Sequence, residues 1–119
     1  MRSTIGVFCA AILSGCATVP RQYEWGGYET LLFAAYKDPS KTEALTVGLE
    51  NQINALEQGK GKVAPGLYAE LGTLYLQAGA PDKAITMYTR ERDTWPESRG
   101  LMNALIQNLE RRQAEGKSK

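Results

Sequence analysis

The 119-residue sequence predicts an all-α fold of five helices joined as helical hairpins. Apolar residues recur every three or four positions in five separate segments, which is the period of an amphipathic helix. Clusters of glycine and proline separate these segments, and no segment alternates apolar and polar residues as a half-buried strand does. The predicted helices cover residues 27–37, 41–58, 65–78, 82–94 and 97–113.

The first two helices are separated by a proline. Pro39 ends the first helix, because proline disfavours helical geometry at the residue before it. Ser40 is a candidate N-cap for the second helix, and Glu43 three residues later completes a capping box. The apolar stripes of these helices contain Tyr28, Leu31, Leu32, Ala35 and Tyr36, and then Ala44, Leu45, Leu49, Ile53 and Leu56.

The last three helices also end at residues that break helices. Residues 79–82 form a tight connection that contains Gly79 and Pro81, and Pro96 ends the fourth helix. Residues 114–119 are small, charged or polar, so they are predicted to form a flexible tail. The apolar stripes contain Leu67, Tyr68, Leu71, Leu74 and Tyr75, then Ala84, Ile85, Met87 and Tyr88, then Leu101, Met102, Leu105, Ile106 and Leu109.

The N-terminus has the parts of an export signal. Arg2 precedes an uncharged apolar run that is much shorter than the roughly 20 residues needed to span a bilayer. Leu13-Ser14-Gly15-Cys16 then resembles the lipobox of bacterial lipoproteins, where signal peptidase II cuts before the cysteine. The resemblance implies that residues 1–15 are a cleaved signal peptide and that Cys16 carries a diacylglycerol and an N-acyl chain. The alternative is a secreted protein whose Cys16 lies near the cut by chance.

Lipidation of Cys16 predicts a domain held close to a membrane. Residues 16–26 would be a tether that reaches at most about 35–40 Å when fully extended, and residues 27–113 would be the helical domain. Ala17, the second mature residue, favours the outer membrane over the inner one, with the domain facing the periplasm. With Cys9 removed and Cys16 acylated, we expect neither a free thiol nor a disulfide.

Residues 65–98 resemble one 34-residue tetratricopeptide repeat (TPR), a pair of antiparallel helices that stacks into solenoids. Gly72 and Ala84 are small residues that would let the two helices approach closely, and Tyr75 and Tyr88 would fill the space beside them. Glu91 departs from the motif, which usually has alanine there. The matching positions are Tyr68, Leu71, Gly72, Tyr75, Gly79, Ala84, Tyr88 and Pro96.

The other helices predict a short array. The first two resemble a degenerate repeat, and the fifth resembles the lone capping helix that ends many solenoids. About three repeats are normally needed for a stable array. We therefore expect a partner or self-association to stabilise this domain.

The mature chain also resembles a family of small proteobacterial TPR-like outer-membrane lipoproteins. The lipobox, residues 25–29 and the repeat that ends at residues 95–98 carry this resemblance. Members of that family accompany lipoproteins related to the curli secretion channel. The resemblance implies an interaction or assembly module of a cell-envelope complex, with another lipoprotein or an outer-membrane complex as its partner. The alternatives are a pilotin-like or β-barrel-assembly accessory lipoprotein, and an accessory of a cell-wall enzyme.

The composition argues against catalysis. The chain has no histidine, and the mature form would have no thiolate, so the commonest bases, nucleophiles and metal ligands are missing. No glycine-rich phosphate loop follows a strand, and the mature chain is formally neutral, without the basic excess of a nucleic-acid-binding protein. We expect no enzymatic activity, no metal, no cofactor beyond the lipid on Cys16, no nucleic acid and no small-molecule substrate.

Binding is expected on the inner face of the first helix of each repeat. The TPR resemblance places eight residues there, and a groove with Phe33, Tyr36 and Leu76 would suit a helix or an extended peptide. The alternative for each residue is core packing. Trp25 has three possible roles, which are capping the first helix, lying at the membrane interface and anchoring a partner. The candidate groove residues are Phe33, Tyr36, Ala69, Thr73, Leu76, Gln77, Asn103 and Gln107.

Overall fold

The structure is a computed structural model, which describes Tyr23, Trp25 and residues 27–118. It confirms the all-α prediction, because the described residues form five α-helices and no strand. Two 3-10 turns, Pro39–Lys41 and Pro96–Ser98, precede the second and fifth helices. The helices are α1 (Tyr28–Lys37), α2 (Thr42–Gln58), α3 (Leu67–Gln77), α4 (Pro81–Thr94) and α5 (Arg99–Lys117). Within these ranges, no helix has both the length and the apolar character to cross a membrane.

The predicted capping box at the start of α2 was wrong. Asp38 instead caps the 3-10 turn before α2, since its Oδ1 accepts hydrogen bonds from the backbone N–H of Ser40 at 3.1 Å and from the Ser40 hydroxyl at 2.7 Å. Pro39 is the first residue of the 3-10 turn, where a proline loses no helical hydrogen bond. The α-helix proper then begins at Thr42, without a side-chain cap.

Two further details differ from the sequence prediction. Ala44 and Leu101, which were expected on the apolar faces of α2 and α5, are exposed. The helix α5 continues to Lys117, so residues 114–117 are helical, although they were predicted to form part of a tail. These residues are all exposed.

Consecutive helices pack on one another as hairpins. Helices α1 and α2 form the first, α3 and α4 form the second, α2 packs against α3, and α5 packs against α4. The core has two parts, of which the first lies around α2 and α3 and contains Leu49, Ile53 and Leu71. The second, formed by α4 and α5, contains Ala84, Tyr88, Met102, Ile106 and Leu109.

The second hairpin depends on a close approach at Gly72. A Cβ atom on Gly72 would lie 2.7 and 2.9 Å from two ring carbons of Tyr88, and 3.2 Å from the backbone oxygen of Ala84. Ala84 is 0% exposed and Tyr88 is 2% exposed, so neither has free space into which to move. The glycine therefore allows α3 and α4 to pack at a distance that any larger residue would prevent.

We predict that Gly72→Ala destabilises the domain by about 1–3 kcal/mol, because the added methyl group overlaps the ring of Tyr88. Gly100→Ala is the matched control, since Gly100 lies in α5 with no atom within 4 Å of its added Cβ. Alanine favours helix over glycine by about 1 kcal/mol, so this control should be as stable as wild type or more stable. Urea unfolding of both variants measures the difference, and equal stability would contradict the close approach.

Candidate functional site

The structure divides the eight candidate groove residues into two groups. Phe33 and Tyr36 on α1, Leu76 and Gln77 on α3, and Asn103 and Gln107 on α5 are all exposed. Ala69 and Thr73 are only partly exposed, because both take part in packing. Ala69 lies against the second core cluster, and the hydroxyl of Thr73 lies 3.1 Å from that of Tyr88.

The helices that carry the exposed groove residues do not all pack on one another. Direct helix packing therefore does not join these residues into one surface. Among the described helices, α1 packs mainly on α2, and neither α1 with α3 nor α3 with α5 forms an extensive contact. The exposed large apolar side chains are most concentrated on α1, whereas α2, α3 and α5 each expose one. Leu32, Phe33 and Tyr36 are 40%, 59% and 87% exposed, and the ammonium group of Lys37 lies 4.7 Å from the centre of the Phe33 ring.

We call this surface the α1 face and define it as Glu29, Leu32, Phe33, Tyr36 and Lys37. Counted from Glu29, the other four positions lie three, four, seven and eight residues along the chain, so all five lie on one side of the helix. The opposite side of α1 contains Leu31, whose Cδ1 atom occupies the space beside Gly48 of α2. The α1 face is therefore left free by the packing of the first hairpin.

A second feature is a buried carboxylate where the repeat motif usually has alanine. Glu91 is 1% exposed, and its Oε1 accepts hydrogen bonds of 2.9 Å from the backbone N–H of Gly66 and from the hydroxyl of Ser98. Its Oε2 is buried without a hydrogen-bond partner among the described atoms. The side chain thereby connects α4 to the segment before α3 and to the turn before α5.

Trp95 extends this connection to the N-terminal segment. Its indole is 6% exposed, the ring of Tyr23 meets it edge-on at 5.9 Å between centroids, and the Lys62 ammonium lies 3.9 Å from its ring centre. We call Tyr23, Lys62, Glu91 and Trp95 the junction. Tyr23 was placed in the tether by sequence, but here it contacts the domain.

Trp25 is half-buried at the start of α1. The centres of its ring and the Tyr28 ring are 6.4 Å apart, and its carbonyl oxygen accepts a hydrogen bond of 2.9 Å from the backbone N–H of Tyr28. It also packs against the first core cluster. This placement favours the first of its three possible roles, capping the first helix against the core.

Two tyrosines of α3 donate hydrogen bonds to glutamates of α2. The hydroxyl of Tyr68 donates to Glu57 at 2.7 Å, and Glu57 also forms an ion pair of 2.9 Å with Arg90. The hydroxyl of Tyr75 likewise donates a hydrogen bond to the carboxylate of Glu50. Burial, together with the adjacent carboxylate, raises the pKa of Tyr68 and that of Tyr75 to about 12.

No group of three or more histidine, cysteine or acidic side chains that could hold a metal ion occurs among the residues that the structure describes. The predicted lipobox, Leu13, Ser14, Gly15 and Cys16, lies outside those residues. The described residues thus contain one exposed apolar helix face and one junction in which Glu91 and Trp95 are buried.

These features define a small all-α domain of packed helical hairpins. A family model described as a domain of unknown function (DUF4810) matches residues 22–105, and the chain belongs to this family. The match begins immediately before Tyr23 and extends into α5, so it includes the whole junction. Comparison with curated proteins gives no match, and neither does comparison with solved structures.

The raised tyrosine pKa values predict a loss of stability at high pH. The folded state holds these two protons more tightly than the unfolded chain, whose tyrosines titrate near pH 10. The stability that these two raised pKa values contribute is therefore fully present below about pH 10 and is lost as the pH rises towards 12. Urea unfolding at pH 9 and 11 measures this loss, which should be smaller in a Tyr68→Phe/Tyr75→Phe variant.

Tyr36→Phe is the control for this experiment, because Tyr36 is 87% exposed. It should lose as much stability between the two pH values as the wild-type protein does. The same loss in the Tyr68→Phe/Tyr75→Phe variant would show that these hydroxyl groups do not cause it.

Proposed function

We propose that this protein is an outer-membrane lipoprotein that acts as an interaction or assembly module of a cell-envelope complex. The exposed α1 face carries the proposal. Three large apolar side chains, Leu32, Phe33 and Tyr36, are exposed on one helix of ten residues. A concentrated apolar surface of this kind is typical of a protein-binding site, whereas scattered single exposed residues need no explanation.

The proposed lipid anchor rests on the lipobox at Leu13-Ser14-Gly15-Cys16. The contact between Tyr23 and Trp95 adds a constraint to it, because only residues 16–22 then separate the lipid from the first attachment to the domain. Seven residues reach at most about 23–25 Å. This distance is shorter than the 35–40 Å of an eleven-residue tether and supports a domain that works at the membrane surface.

The TPR-like architecture is also part of the proposal. The close approach at Gly72, with Ala84 and Tyr88 opposite it, has the arrangement that a TPR hairpin requires. Gly48 of α2 has a similar contact with Leu31 of α1, which supports a degenerate repeat in the first hairpin. The helix α5 fits the role of a capping helix, since its exposed side chains are polar apart from Leu101, Ala104 and Ala114.

The proposed partner is another envelope lipoprotein or an outer-membrane complex, including one like the curli secretion channel. This choice rests on the family resemblance in the sequence. A pilotin-like or β-barrel-assembly role is the second candidate, because it would also use a lipid anchor and an exposed helix face. Neither role requires a cofactor, a metal or a catalytic group.

The anchor is tested by Cys16→Ala in the full chain. We expect wild-type protein to fractionate with membranes and to carry about two to three acyl chains by mass spectrometry. The variant should retain the signal sequence or enter the soluble fraction. A wild-type chain that is cleaved elsewhere and carries no lipid would contradict the anchor.

The partner is tested by affinity purification from detergent-solubilised membranes. Wild-type protein should recover a different envelope protein, and Phe33→Asp/Tyr36→Asp should lose it. Ala114→Asp, a change at an exposed site on α5 outside the candidate groove, should retain it. Recovery of a channel-forming lipoprotein supports the first role, whereas a secretin or barrel machinery supports the second. Equal recovery with both variants would contradict a role for the α1 face.

A further inference from the structure

The α1 face has two opposite charges at equal distances from its centre. Phe33 lies in the middle of the helix, Glu29 lies four residues before it and Lys37 lies four residues after it. Leu32 and Tyr36 complete the apolar part of the same face. Four residues of helix correspond to about 6 Å along its axis, so the two opposite charges are about 12 Å apart.

This arrangement is complementary to itself when two copies of α1 lie antiparallel. A two-fold axis beside Phe33 places Glu29 of each copy at the same level along the helix as Lys37 of the other. The apolar side chains then meet at the centre, between the charges. A surface that faces its own copy across a two-fold axis is the usual basis of a homodimer.

We propose that the α1 face binds a second copy of this chain, with the two α1 helices antiparallel about Phe33. This deepens the proposed function, because it names one partner of the surface on which that function rests. Opposite charges at each end fix the antiparallel orientation, and the antiparallel helix dipoles add to it. The marginal number of repeats in the sequence gives self-association a physical purpose, since the dimer covers apolar surface that the short array leaves exposed.

A lipid surface is the competing occupant of this face. Glu29 argues against it, because the acidic side chain belongs to the face, where anionic head groups would repel it. Only one basic residue, Lys37, is present there, whereas surface attraction of a helix to anionic lipids usually relies on several. A paired copy satisfies both charges, so the dimer accounts for more of the face.

The contact is expected to be weak in solution and stronger at a membrane. One face of a ten-residue helix buries less than the roughly 1,200–2,000 Å² typical of stable interfaces. Attachment of both copies to one bilayer raises their effective concentration, as linkage does for any paired binding event. The test is therefore best done in the membranes of expressing cells.

Cysteine cross-linking of the full chain tests the geometry. Phe33→Cys places a thiol beside the two-fold axis, and oxidation with copper–phenanthroline should join two copies. Ala114→Cys, an exposed thiol on α5 outside the candidate groove, is the matched control. We expect at least fivefold more cross-linked dimer with Phe33→Cys. Wild-type protein must give none, because a dimer there would mean that Cys16 is free, which is a failure of the anchor and not of the dimer.

Charge reversal tests the antiparallel orientation. In the Phe33→Cys background, Glu29→Lys alone and Lys37→Glu alone each place like charges opposite one another. Each should lower the cross-linked fraction by about fivefold, which corresponds to about 1 kcal/mol. The double reversal restores opposite charges and should restore cross-linking. Failure to recover would overturn the proposal, even if each single variant were weaker.

Two other results would also overturn the proposal. Equal cross-linking of the Phe33→Cys and Ala114→Cys variants would show random collision of the copies. A Phe33→Cys thiol that neither cross-links nor reacts with a water-soluble maleimide in whole membranes would show that lipid or a different protein covers the α1 face. A chain that fractionates as soluble would contradict the anchor alone, because cross-linking can then be measured in the soluble fraction.

Discussion

The contact of Tyr23 with Trp95 is the constraint on which the functional account depends. It joins the N-terminal segment to the end of α4, where Glu91 already connects the segment before α3 with the start of α5. A domain attached at this point has a short connection to Cys16, and the α1 face belongs to the same packed unit. If Cys16 carries the proposed lipid anchor, the junction determines how far from that anchor the proposed binding surface can lie.

The junction in turn depends on how tightly α3 and α4 pack. Gly72 lets the ring of Tyr88 lie against α3, and the hydroxyl of Tyr88 lies within 3.1 Å of Thr73. Because α4 is held close along this contact, Glu91 at its C-terminal end reaches the backbone of Gly66. A buried carboxylate costs free energy unless hydrogen bonds compensate it, and two neutral donors compensate one of its oxygens here.

The sequence predicted the five helices well because periodicity and helix-breaking residues are local signals. The small residues Gly72 and Ala84 were also predictable from the repeat motif. The capping of the 3-10 turn by Asp38 was missed because Ser40 has the same capping chemistry two residues later. Glu91 was visible only as a departure from the motif, since its partners Gly66 and Ser98 depend on the folded chain. The contact of Tyr23 was not predictable, because it joins residues 72 positions apart.

A double-mutant cycle between Tyr23 and Trp95 tests the central claim most directly. The free energy of unfolding would be measured for wild type, Tyr23→Ala, Trp95→Leu and the double variant. An edge-on aromatic pair contributes about 0.5–1.5 kcal/mol beyond its buried area. The stability lost in the double variant should therefore be smaller than the sum of the two single losses by about that amount. Strictly additive losses would show that Tyr23 is not attached to Trp95, and the short connection to the membrane would then be wrong.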